Sequence, residues 1–352
     1  MQDTFFYYAV LGAKSYRVLP SPDPRMMGVM KILIGIFACA MLCAQTEPLP
    51  PAPTDVKPGS ITYDEIPYPY PVSYLPLTLY GQDVRMAYMD VPPAGAPNGR
   101  VVVLFDGMNF GGFYFGGPIE ALREGGFRVV VPDQIGFGRS SKPIIPYNFN
   151  DMATNVRKLL ASLGINRAAI VGHSMGGMLA ARFAATNSDI TERVVLYDPI
   201  GLTDVRYERP WRTADDAYKA TMVQTHDQLY QGFYATIRRY FPPATWKAEY
   251  EQYPRILYAP TLSADWPRLA MVQAIYRQIT VLDPVVYDWA HIKVKALVIG
   301  GDKDGDNFPA LAKHIADTIP GAELVLFPNV GHVPHIQVPE MFNKELLKFL
   351  LK

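Results

Sequence analysis

Apolar positions along this chain follow several distinct periods. Two alternating stretches, Leu75–Tyr80 and Val84–Met89, are split by Gly81-Gln82-Asp83, which is the pattern of a β-hairpin. Val101–Phe105 is an unbroken apolar run of the kind buried on both faces, and a glycine-rich turn follows it. Further short strands are predicted over Phe127–Val131, Ala168–Val171, Val194–Tyr197, Ala296–Ile299 and Leu324–Phe327. Helices are predicted between and after them, over Phe149–Leu163, Met175–Ala185, Ala310–Ile319 and Pro339–Leu351. In the first of these, Met152, Val156, Leu159, Leu160 and Leu163 fall on one helical face, and Gly164 ends it. Apolar strands alternating with helices predict an α/β fold: a mainly parallel sheet covered by helices on both faces, with the hairpin as an antiparallel edge.

Two segments break this rhythm. From about Leu202 to His291 the spacing is helical and aromatic residues crowd together, among them Trp211, Tyr230, Tyr240, Trp246 and Tyr250. That is far too long for a loop and predicts a separate helical unit. Residues 45–60 are proline-rich, without helical or strand period, and read as a linker. Before them, Lys31 precedes thirteen apolar or small residues, Ile32–Ala44. This is too short to span a membrane but fits the apolar region of a secretory signal cleaved after Ala44. Met26, Met27 and Met30 are alternative starts for such a leader, and the only cysteines, Cys39 and Cys43, lie within it. The expected organisation is a leader over 1–44, a linker over 45–60, a core in two parts, 61–202 and 291–352, and a helical insert over 203–290. The expected location is the periplasm or outside the cell. Lys+Arg and Asp+Glu both number 33, which removes the basic excess of a nucleic-acid binder. Hydrophobic residues are 49 %, enough for a substantial core without disulfides. No stable membrane insertion is expected after leader removal.

The chemistry concentrates at Gly172-His173-Ser174-Met175-Gly176, a G-x-S-x-G pattern between a short apolar strand and a helix. Such an elbow holds a serine hydroxyl out at the end of the sheet, beside the free N–H groups of a helix N-terminus. Serine needs a base at neutral pH, and the base needs an orienting carboxylate. Of six histidines, His332 lies on the loop after the last strand, where a base should arrive, with His335 in the same loop as the fallback. His173 adjoins the serine but diverges from it and reads as structural. The preceding strand runs into Gly301-Asp302-Lys303-Asp304-Gly305-Asp306. There Asp304 is the candidate acid, Asp302 and Asp306 are expected to cap the turn or face solvent, and Asp198, two elements earlier, is the alternative. The chain order Ser174, Asp304, His332 is that of an α/β-hydrolase triad.

From Ser73 to Lys352 the chain resembles the α/β-hydrolase superfamily, in the lid-bearing branch that includes esterases and proline iminopeptidases. Besides the triad, Asp133-Gln134-Ile135-Gly136-Phe137-Gly138-Arg139-Ser140 resembles the D-x-x-G-x-G-x-S loop after the fourth strand, and Leu104–Phe115 resembles the oxyanion loop. The resemblance implies a mostly parallel eight-stranded sheet, a helical lid formed by the insert, oxyanion donors at the Met108 and Met175 N–H groups, and no cofactor. Family members usually carry His-Gly at the oxyanion turn, where this chain has Asp106-Gly107, a carboxylate beside developing negative charge. A serine nucleophile argues against dehalogenase or epoxide hydrolase chemistry, which uses aspartate. The expected activity is hydrolysis of a small to medium carboxylic ester, since no cationic clamp is evident in the sequence. A proline iminopeptidase is the alternative and would need insert carboxylates, with Glu208, Asp215, Asp216, Glu249 and Glu251 as candidates. A non-catalytic ligand-binding protein, or an insert serving as a docking surface, are the readings from other classes.

Overall fold

The computed structural model describes residues 48–352 apart from Arg209 and Trp211. The leader expected over 1–44, with both cysteines, lies outside the described residues. The hairpin is β1 (Val72–Leu79) and β2 (Gln82–Val91), paired antiparallel with Leu79 opposite Gln82. Its turn is Tyr80-Gly81, one step earlier than the sequence suggested. Both residues have positive φ (50° and 72°), the backbone a two-residue hairpin turn demands, and the Tyr80 hydroxyl donates to Asp151 at 2.6 Å.

The remaining strands are β3 (Val101–Phe105), β4 (Arg128–Pro132), β5 (Ala168–His173), β6 (Thr191–Tyr197), β7 (Lys295–Gly301) and β8 (Glu323–Phe327). The sheet order is β1-β2-β4-β3-β5-β6-β7-β8, antiparallel at β1-β2 and β2-β4 and parallel elsewhere. Helices α1 (Gly116–Glu124), α2 (Phe149–Ser162) and α3 (Met175–Thr186) lie between the strands in sequence. The insert between β6 and β7 carries α4 (Ala214–Met222), α5 (His226–Arg239), α6 (Gln252–Tyr258), α7 (Trp266–Tyr276) and α8 (Ile279–Leu282), and after β7 come α9 (Phe308–Thr318), α10 (Pro334–Gln337) and α11 (Pro339–Leu351).

The central strands are apolar throughout because both faces are covered. Val103, Phe105, Ile170 and Leu196 meet α2, α3 and α9 through residues such as Val156, Met178, Phe183 and Ile315. Val102, Leu104, Val171 and Val195 meet α1 and α11 through Ile119, Leu122, Phe342 and Phe349 on the other face. Arg182 of α3 donates to Asp283 (3.0 Å) and Asp288 (2.7 Å), which ties the end of the insert to the core.

The proline-rich stretch does not read as a free linker in the structure. From Leu49 it runs without helix or strand along the insert, where Ala52 N donates to Asp227 (2.8 Å), Arg255 donates to Asp55 (2.6 Å) and Gly59 N donates to Ala259 O (2.9 Å). An extended, proline-rich backbone has no hydrogen bonds of its own, so α5 and α6 supply partners that no local pattern reveals. Among the described residues no helix is long and apolar enough to cross a membrane.

Candidate active site

At the end of β5 the backbone turns sharply through Ser174, whose φ of 58° and ψ of −119° lie outside the conformations favoured by L-residues. The adjoining strand and helix hold this geometry: Ser174 N donates to Tyr197 O of β6 (2.9 Å), and Gly177 N in the first turn of α3 donates to Ser174 O (2.9 Å). The turn closes so tightly that a Cβ on Gly172 would lie 1.9 Å from Gly176 O, and one on Gly176 would lie 2.5 Å from Phe105 O. Ser174 is 5 % exposed. Met175 is the first residue of α3, and its N–H and that of Met108 donate to no acceptor among the described residues. Two free N–H groups thus flank the serine turn, as an oxyanion site requires.

His332 lies on the loop after β8 and is 3 % exposed. Its Nδ1 pairs with Asp304 Oδ2 at 2.8 Å, so the structure brings together the expected base and acid. With Nδ1–H donating to the carboxylate, Nε2 is the basic ring nitrogen. The other carboxylates of the turn behave as expected. Asp302 accepts from Asn329 N (2.7 Å), and Asp306 is exposed. Asp198, the alternative acid, is buried next to the pair. His335, the fallback base, is turned into the core, its Nδ1 hydrogen-bonded to the Tyr197 hydroxyl and its ring packed on Tyr114 and Phe115. Burial lowers its pKa to about 3.

His173 is structural, as expected, and the bonds it makes are specific. Its Nε2 pairs with His332 O (2.7 Å), and because a carbonyl only accepts, this nitrogen carries the proton. Its Nδ1 (2.7 Å away) therefore accepts from the Tyr114 hydroxyl, whose oxygen accepts from Gly107 N (2.9 Å). Burial, then the neighbouring His332 and His335, hold the His173 pKa well below its usual value, so the relay stays neutral. Tyr114 joins the oxyanion turn to the loop bearing His332, and no sequence motif marks it. Tyr114→Phe is expected to lower kcat about tenfold with KM little changed, the cost of a buried N–H and a ring nitrogen left without partners; steady-state kinetics beside a melting curve checks this.

The Asp106 carboxyl is 3 % exposed and its Oδ2 has no hydrogen-bond partner. Burial first, then the nearby Asp133 carboxylate, hold its pKa well above the usual range. With its pKa held up in this way, the carboxyl places less negative charge beside the oxyanion turn than an ordinary aspartate would, which bears on the concern raised by the missing histidine. Asp133 itself accepts from Gly112 N (2.7 Å), Arg139 N (2.7 Å) and the Tyr68 hydroxyl (2.7 Å). Because the folded pKa of Asp106 exceeds the unfolded value of about 4, folding binds a proton that the unfolded chain releases as pH rises above that value. The wild type therefore loses stability upward from about pH 4 relative to Asp106→Asn. Melting curves of the two proteins are expected to diverge in favour of the variant as pH rises above about 4, with kcat changed less than about threefold.

The insert closes over this edge. Tyr240, just beyond α5, stacks its ring 4.6 Å from that of His332, and its carbonyl accepts from His332 N (2.9 Å). Asn109 donates to the Tyr240 hydroxyl at 2.7 Å. Beside Met108 a space of only about 10 Å³ is lined by Tyr63, Phe110, Phe137, Phe233, Gln273 and Tyr276. A larger cavity of about 370 Å³ lies within the insert, away from Ser174, and Gln273 lines both. Its wall includes Arg206, Arg212 and Arg277, a cationic cluster invisible in sequence because its members are scattered over 72 positions' worth of chain from 206 to 277. None of Glu208, Asp215, Asp216, Glu249 and Glu251 lines either cavity. Asp215 pairs with Lys219, and Asp216 accepts from the hydroxyl of Thr213, the residue that caps α4 by accepting from Asp216 N.

Comparison with known proteins identifies the family. Residues 102–345 match the sequence model of the alpha/beta hydrolase family. A carbamate hydrolase by name, RutD of Yersinia enterocolitica, is 27 % identical over 276 residues, covering 75 % of this chain and 92 % of that protein. The crystal structure of a probable hydrolytic enzyme from Pseudomonas aeruginosa is 34 % identical, with a TM-score of 0.78 over 83 % of this chain and 98 % of that one. An enol-lactonase from Burkholderia xenovorans shares the fold, with a TM-score of 0.64, 23 % identity and coverage of 79 % and 100 %. The chain belongs to the alpha/beta hydrolase family.

Proposed function

We propose that this protein is an exported serine hydrolase that cleaves a small to medium carboxylic ester. The observation that carries the reading is the His332–Asp304 pair at the sheet edge that also holds the strained Ser174 turn. Ser174 Oγ attacks the carbonyl carbon while His332 Nε2 takes its proton, and the N–H groups of Met108 and Met175 hold the oxyanion. The tetrahedral intermediate collapses, His332 returns the proton to the leaving alcohol, and an acyl-enzyme remains. Water, deprotonated by His332, then releases the acid and restores Ser174. Asp304 fixes the ring and stabilises its charged form. Tyr240 shields His332 from solvent, and the insert acts as the lid.

Export is supported by the Lys31-flanked apolar run Ile32–Ala44. N-terminal sequencing of protein recovered from cell fractions tests it, with Gln45 as the expected first residue. The ester reading is favoured over the iminopeptidase one because none of the insert carboxylates lines either cavity. The test is a panel of p-nitrophenyl esters of increasing acyl length, one ester bearing a free carboxylate to probe the arginine-lined cavity, and proline p-nitroanilide. Turnover of esters supports the proposal and turnover of the anilide alone moves it to a peptidase. A folded protein silent on all of them points to a ligand-binding role.

A further inference from the structure

Asp198 follows β6 and is fully buried, at 0 % exposure, with a φ of 38°. Its Oδ1 accepts from Gly301 N at 2.9 Å, and Gly300 leaves room for it, since a Cβ there would lie 2.4 Å from that oxygen. Its Oδ2 is buried without any other partner. An oxygen of Asp198, an oxygen of Asp304 and a ring nitrogen of His332 lie within 4.8 Å of one another. Two carboxylates at this distance, one wholly out of water, cannot both be ionised. His332 N–H and partial solvent contact favour charge on Asp304, whose side chain is 16 % exposed. Asp198 is 0 % exposed and accepts from a single N–H among the described residues.

We propose that Asp198 is a positioning residue: a neutral carboxyl whose Oδ2–H donates to the Asp304 carboxylate and fixes the rotamer in which Asp304 accepts from His332. This rests on the reading of His332 and Asp304 as base and acid. The groups facing Asp198 agree with it. Tyr197 beside it is held by His335, Asp304 and His332 complete the cluster, and the turn cation Lys303 pairs with half-buried Asp302 at 3.4 Å. Burial first, then the Asp304 charge, hold the Asp198 proton on well above the usual carboxylate range. The arrangement leaves one negative charge, on Asp304, to balance the His332 cation formed during turnover.

Two variants of the full chain separate this from the alternatives. Asparagine has an N–H donor in place of the carboxyl O–H, still accepts from Gly301 and tolerates positive φ, so Asp198→Asn is expected to keep kcat within about threefold and leave the acid limb of the pH profile in place. Asp198→Ala removes the donor and is expected to lower kcat about tenfold at unchanged KM, the scale of one hydrogen bond to a charged group. The infrared difference spectrum between the wild type and Asp198→Asn should show the carbonyl stretch of a protonated carboxyl. An ionised Asp198 would instead give carboxylate bands, and its replacement by asparagine would shift the acid limb to lower pH by removing a charge that stabilises the His332 cation. Equal kinetics for both variants would leave Asp198 a merely structural group. Either result overturns the proposal. The infrared measurement needs no turnover, so it reports on Asp198 even if Ser174 proves not to be the nucleophile.

Discussion

Ser174→Ala is expected to lower kcat/KM on the best ester by at least about a thousandfold while the protein stays folded. The hydroxyl is the only atom lost, and it makes no hydrogen bond among the described residues that the elbow depends on, since the turn is held by Ser174 N and Ser174 O. Residual turnover above the uncatalysed rate should survive, because the Met108 and Met175 N–H groups and the insert remain to bind and polarise a carbonyl. The expected signature is a collapse of kcat with KM nearly constant, and loss of the initial burst of p-nitrophenol that marks acyl-enzyme formation. An undiminished kcat would move the nucleophile elsewhere and remove the central claim of the proposed mechanism.

Gly172→Ala is expected to be the most damaging single methyl in the elbow, costing at least about 3 kcal/mol and leaving little folded protein. The added carbon would sit 1.9 Å from Gly176 O, where the obstacle is backbone at the start of α3 and no side chain can swing away. Relief requires shifting the helix, and Gly176 already approaches Phe105 O so closely that α3 has no room to retreat. Gly232 in α5 supplies the control, because a Cβ there meets nothing within 4 Å. Gly232→Ala is expected to stabilise by about 0.5–1 kcal/mol through helix propensity and a less disordered unfolded chain. Urea titrations of the two variants beside wild type check both signs, and a folded, active Gly172→Ala protein would show that the elbow is looser than its contacts imply.

Legibility in the sequence follows how local each cause is. The Ser174 elbow could be read directly because its strand, strained residue and small glycines are consecutive. His332 and Asp304 could be placed because each follows an apolar strand whose end is fixed by the parallel sheet, with Gly301 opposite Phe327 in register. Tyr114, Tyr240 and Asn109 gave no such signal. Apart from the local Tyr114–Gly107 bond, their roles come from hydroxyl and backbone contacts between residues 59 to 131 apart in sequence, for which an isolated tyrosine looks like any other core aromatic. Asp198 was visible only as a competitor for the role of Asp304, since adjacency in space, and with it a shared proton, is a property of the folded sheet edge. The proline-rich stretch misled for the complementary reason: composition reports the lack of internal hydrogen bonds and says nothing about partners offered by another element.

The attachments of the insert restrict how a substrate can enter. One anchor is the Tyr240 carbonyl on His332 N, and others are Asn109 on the Tyr240 hydroxyl, Arg268 on the Lys142 carbonyl and Arg182 holding Asp283 and Asp288. Breaking the first would release the loop that carries His332 and, through His173 and Tyr114, the oxyanion turn as well. An opening that kept the catalytic groups assembled would therefore have to pivot about these bonds like a door on its hinges.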